Sequence, residues 1–176
     1  MVKEGLNLGS SFVPGLAMTA AQPVRAQWYH RIPPPVWMLL LFLDAYCVQN
    51  TYDWANRVYF RSLPLAVVVA LAGIALGVWG ERTFHTLRTE VLPASATNKL
   101  VVTTGPFRFT RNPMYAGVVL IALGIAIYVG TLPFYAVPPL VFLLCNYVFI
   151  PFEEAKMQAQ HGNLYTDYLH RVRRWI

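Results

Sequence analysis

The chain has 176 residues, of which 56% are hydrophobic and only 12% charged, with a net charge of +6. That composition lies far from the soluble average and points to a membrane protein of about one domain. The basic excess is of the kind that flanks membrane spans, and no aromatic-interleaved basic stripe accompanies it, which argues against nucleic acid as a partner.

Taken in order, residues 1–34 are interrupted by Pro14, Gly15 and Pro23 and have no sustained apolar core, so they read as a flexible or surface-lying leader rather than a signal peptide. The remainder, 35–176, reads as a single membrane domain. A first apolar run, 36–52, follows Pro33-Pro34-Pro35 and carries Asp44. It is short against the ~20 residues of a crossing, and a carboxylate inside it is expected to face the bundle or a wet cavity. A second run, 63–80, has Gly73, Gly77 and Gly80 on one side, a pattern that lets another backbone approach closely.

A third run, 113–130, opens with Asn112-Pro113, where Asn is expected to cap and Pro occupies the first helical position at no cost in hydrogen bonds. Only residues 130–132 separate it from the fourth, 133–152, so the last two are expected to form an antiparallel hairpin. The tail 153–176 reads as an amphipathic helix on the membrane surface, with Tyr165 and Tyr168 turned towards the spans. Cys47 and Cys145 fall inside apolar runs without metal-type spacing and read as small buried hydrophobes; no metal is expected.

The fold class expected is therefore all-α, an integral membrane four-helix protein. Four spans put twelve of the fourteen Lys and Arg residues on one side, leaving Arg57 and Arg61 on the other. By the positive-inside rule, both termini lie in the cytosol. The basic stretch 98–115 then meets Glu153-Glu154 at that face. Together they offer a Gly-Pro turn, arginines, a helix N-terminus, a tyrosine and two carboxylates, a set able to hold a zwitterionic ligand. A basic loop and a Glu pair at a span end are also ordinary interfacial residues.

The run Thr104-Gly105-Pro106-Phe107-Arg108-Phe109-Thr110-Arg111-Asn112-Pro113-Met114-Tyr115-Ala116-Gly117 resembles the signature of the isoprenylcysteine carboxyl methyltransferase and phospholipid methyltransferase superfamily. Downstream, Glu153-Glu154 followed by Gly162-x-x-Tyr165-x-x-Tyr168 is similar to that superfamily's ending. The resemblance covers roughly residues 64–176. It implies a membrane methyltransferase with S-adenosylmethionine held in a pocket at the cytosolic face by Lys99, Leu100, Val101, Val102, Gly105, Phe107, Arg111, Asn112, Pro113, Met114, Tyr115 and Glu153. Glu153 and Glu154 are the implied catalytic residues. The acceptor is a lipophilic or small molecule among membrane lipids: an isoprenylcysteine carboxylate, a lipid amine or a thiol.

Two positions depart from the superfamily pattern. Asn112 stands where it has His, and Phe149-Ile150-Pro151-Phe152 stands where the isoprenylcysteine enzymes carry an arginine, which puts a carboxylate acceptor in doubt. An amine or thiol needs a proton acceptor, for which Glu153, Glu154 and Asp44 are all available. The alternative is a small four-helix transporter or binding protein built around Asp44.

Overall fold

A computed structural model describes residues 26–86 and 101–176. Among the described residues every regular element is helical, and the only β pairing is an isolated bridge between Val58 and Thr131. The main helices are α1 (Pro34–Thr51), α2 (Leu63–Thr86), α3 (Pro113–Val129), α4 (Leu132–Leu144), α5 (Ile150–His161) and α6 (Asn163–Arg171). A π-turn, Cys145–Phe149, joins α4 to α5, so that Leu132–His161 is one continuous helix of 30 residues.

That helix and α2 are long and apolar enough to cross a membrane; α3, at 17 residues, is shorter. α2 buries little more than Ala66, Gly73 and Gly80, while Val67, Val68, Leu71, Ile74 and Val78 stay exposed. An apolar helix this lightly covered is suited to lipid, not to the centre of a soluble core.

The few residues α2 does bury are the small ones, and they explain how it packs. A Cβ added at Gly73 would lie 2.6 Å from the carbonyl oxygen of Gly117, and one added at Gly117 would lie 2.7 Å from that of Gly73. The two helices therefore cross backbone to backbone, as the glycine spacing anticipated. Further along, Gly124 meets Ala66 and Ala70 in the same way.

α3 and α4 form the expected hairpin. Gly130, at φ +84°, ends α3 in the left-handed conformation that glycine adopts most cheaply, and the connection is stapled to the segment between α1 and α2. Tyr59 N–H donates to Gly130 O (2.9 Å), the buried Thr131 hydroxyl donates to Gln49 (2.6 Å), and Arg61 lies over the Tyr128 ring at 5.1 Å. The core sits between α1, α3 and the long helix, around Phe42, Ala122, Ala126, Val137, Val141 and Phe149.

Several expectations change. The second helix continues to Thr86, six residues past the expected end. The fourth runs nine residues beyond residue 152, because Glu153-Glu154-Ala155-Lys156-Met157-Gln158 are all good helix formers and nothing stops the chain before Gly162, at φ +53°. The surface helix of the tail accordingly begins at Asn163, not at residue 153. Its Tyr165 and Tyr168 are buried against the body. Asp44 is exposed on α1 and, of the two surroundings expected for it, lines a cavity, between α1 and the start of α4. Cys47 is likewise exposed, whereas Cys145 is buried.

Candidate functional site

A cavity of about 300 Å³ opens where the N-terminal ends of α1 and α3 meet α5 and α6. Of the residues singled out from sequence, Val101, Val102, Phe107, Arg111, Asn112, Pro113, Met114, Tyr115, Glu153 and Glu154 all line it. Lys99 and Leu100 lie outside the described residues. Gly105 shapes the site without lining it. At φ +60° it starts the tight turn Gly105–Arg108, where an added Cβ would come within 2.7 Å of the Thr83 hydroxyl. That turn buries Phe107 edge-on against Phe84, with ring centroids 5.1 Å apart.

The carboxylate pair divides its work. Successive positions on a helix point about 100° apart, so Glu153 and Glu154 face different neighbours. Glu154 receives Arg111 Nη2 at 2.8 Å and Arg174 Nη2 at 2.5 Å, an ion-paired cluster largely withdrawn from water. Arg111 also donates Nη1 to the carbonyls of Leu169 (2.9 Å) and Val172 (2.7 Å), tying α3's entrance to the end of α6. Glu153 instead accepts a short hydrogen bond from the Tyr115 hydroxyl inside the cavity. The two acids thus have distinct surroundings: one is neutralised by two guanidiniums, the other faces the cavity beside a phenol.

Asn112 does not cap. It occupies the N-cap position of α3, but its side-chain amide donates to the carbonyl of Arg174 at 2.9 Å. The reason is the returning C-terminal segment. Thr110 Oγ1 also donates to Arg174 O (3.2 Å) and Arg111 N–H to Arg173 O (2.9 Å), so that segment offers carbonyls where an isolated helix would offer only its own first turn. With Pro113 lacking an N–H, the first-turn donors of α3 receive no side-chain cap from Asn112.

The rest of the lining was not anticipated. Tyr165 and Tyr168 carried the tail motif but not a site assignment, and both line the cavity; burial pushes their phenols well above the ordinary tyrosine value, so they remain protonated donors. Tyr168 uses its hydroxyl on the carbonyl of Phe107 at 2.9 Å. Val118, Lys156 and Met157 join them. Helical spacing could have found these three, since Val118 lies three residues beyond Tyr115, and Lys156 and Met157 three and four beyond Glu153. Phe84 and Pro33, Pro34 and Pro35 complete the wall, and no local signal connects them with it.

Asp44 lines a second cavity of about 310 Å³, bounded by α1, Trp54 and the start of α4, in which the other residues are apolar.

A family model described as phospholipid methyltransferase matches residues 63–163, more than half of the chain. No curated protein and no solved structure matches it.

Proposed function

Since the chain belongs to the phospholipid methyltransferase family, within the isoprenylcysteine and phospholipid methyltransferase superfamily, we propose that it is an S-adenosylmethionine-dependent methyltransferase acting on an amine carried by a membrane-partitioned molecule. The observation that carries this reading is the single cavity in which both halves of the motif meet, with Glu153 and Tyr115 hydrogen-bonded inside it.

The donor set fits the cofactor. Among the described residues Arg111 Nε–H is buried without an acceptor, and Asn112 gives the first-turn N–H groups of α3 no side-chain cap; both suit the carboxylate of an amino-acid moiety. Glu153 suits an ammonium or ribose hydroxyls. The rings of Tyr115, Phe107, Tyr165 and Tyr168 provide faces that attract a cationic sulfur. Bound there, S-adenosylmethionine supplies an activated methyl group on a sulfonium.

The chain's own part is to position, to exclude water and to manage a proton. Transfer in line needs no covalent enzyme intermediate, so orientation in a largely apolar cavity supplies much of the rate. An amine must be neutral to attack and sheds a proton after it. Glu153 is the carboxylate placed to hold that proton, because Glu154 is occupied by Arg111 and Arg174. Asp44 lies in the other cavity and takes no part.

In this reading α1 and α3 cross the membrane alongside α2 and the long helix. The charge distribution puts the cavity on the cytosolic side.

Calorimetric titration with S-adenosylhomocysteine tests the cofactor assignment, saturable binding being the expected result. A folded protein that does not bind it would sink the proposal. Transfer of labelled methyl groups into an aminophospholipid, against a carboxylate acceptor, then tests the acceptor class.

A further inference from the structure

The cavity wall contains a part that the family match does not reach. Pro33, Pro34 and Pro35 line it from the far side of α1's N-terminus, thirty residues before the matched stretch begins. Pro33 and Pro35 are also exposed, so this wall forms the cavity's rim, while Pro34 is buried as the first residue of α1. Three consecutive prolines make a stiff, apolar surface with no N–H to offer a ligand.

A stiff wall still needs to be held in place, and the short turn Trp28–Arg31 just before it does so through His30. The imidazole is buried. Its Nδ1 accepts the backbone N–H of Gln27 at 3.2 Å, which fixes the proton on Nε2, and Nε2 donates to the carbonyl of Val148 at 3.3 Å. Val148 belongs to the π-turn between α4 and α5, where the ordinary helical ladder is interrupted and a carbonyl is open to an outside donor.

The ring also stacks on Phe152 (centroids 4.0 Å apart, planes 14° from parallel) and meets Phe149 edge-on at 6.1 Å. Phe152 immediately precedes Glu153, and Phe149 packs against Tyr115 at 6.3 Å. His30 therefore fixes the turn Trp28–Arg31 against the helix that carries Glu153, and the proline rim begins three residues further along the chain.

We propose that His30 is a positioning residue for acceptor selection, which sets the proline rim opposite Glu153 so that the cavity favours amines carried on a long apolar body. This rests on the methyltransferase reading. The cofactor side of the cavity is built by the family-matched stretch and by α6. The rim is the part left to contact the hydrocarbon of an acceptor whose nitrogen lies at Glu153.

The test compares methyl transfer to dodecylamine and to butylamine by the full chain in detergent, with the affinity for S-adenosylhomocysteine measured in parallel. The wild type prefers dodecylamine. His30→Ala lowers that preference about tenfold, the size of one buried hydrogen bond, and leaves the affinity for S-adenosylhomocysteine unchanged. His30→Gln, which keeps an N–H at the reach of Nε2, restores the preference. If His30→Ala does not fold, Pro34→Ala alters the rim directly and shifts the preference in the same direction.

An unchanged preference in the variants overturns the inference while leaving the methyltransferase reading intact. So does a wild type that shows no chain-length preference or transfers to neither amine, and so does a His30→Gln as impaired as His30→Ala. Loss of S-adenosylhomocysteine affinity in step with acceptor preference overturns it as well. A wild type that does not bind S-adenosylhomocysteine removes the reading and the inference together.

Discussion

The two cavities are nearly equal in volume, about 300 and 310 Å³, and differ in what converges on them. The first draws residues from five separate parts of the chain and gathers two carboxylates, an arginine, a lysine, an asparagine and three tyrosines. The second lies between α1 and the start of α4 and holds one carboxylate, Asp44, in an otherwise apolar lining. Size alone does not mark a site; polar groups brought together from distant parts of the chain do. An isolated acid inside an apolar run is suggestive in sequence, yet here it is exposed and makes no hydrogen bond among the described residues.

Substitutions can break this comparison, and the largest effect is expected at Glu153. Glu153→Ala lowers kcat/KM about 100-fold, the usual scale for losing a group that handles a proton, whereas Asp44→Ala does not. Equal effects would erase the distinction between the cavities. Next comes the ion-paired cluster. Arg111→Ala leaves Glu154 with only the half-buried Arg174 and detaches two tail carbonyls, so a loss of about 3 kcal/mol in stability is expected in denaturant titrations. A variant of wild-type stability would show that the tail is held by other means.

Tyr115→Phe removes the hydroxyl that donates to Glu153 and keeps the ring. S-adenosylhomocysteine binding should weaken about tenfold, as for one hydrogen bond to a carboxylate. High pH gives a smaller effect. Tyr165 and Tyr168 titrate above the unfolded value of 10.0 because burial disfavours their phenolates. Their contribution to stability is therefore complete below pH 10 and falls as the pH rises beyond it, which thermal midpoints at about pH 8 and pH 11 would reveal. Asp44→Asn comes last, with activity expected to stay within about twofold of wild type, an ordinary result for an exposed position.

Sequence reading went furthest where one element carries the information. The spacing of Gly73, Gly77 and Gly80 anticipated a close crossing, and the three-residue link 130–132 anticipated the hairpin. That the stretch ending at Asn112 meets Glu153-Glu154 followed from that topology; that Arg111 pairs with Glu154 did not. It failed where the answer belongs to a distant partner. Asn112 is a good cap by residue type, but the Arg174 carbonyl claims its amide. The different surroundings of Glu153 and Glu154 depend on which helix face each occupies once Arg174 has folded back. The proline rim lines the cavity from outside the motif, and the His30 contact that holds the turn before it spans 118 residues.

The crossing of α2 and α3 also limits how the molecule can move. With backbones this close at Gly73 and Gly117, α2 and α3 have no layer of side chains between them there whose rotamers could absorb a displacement. Displacement has to come from the elements attached by side chains: the α1 entrance held at His30, and α6 held at Arg111.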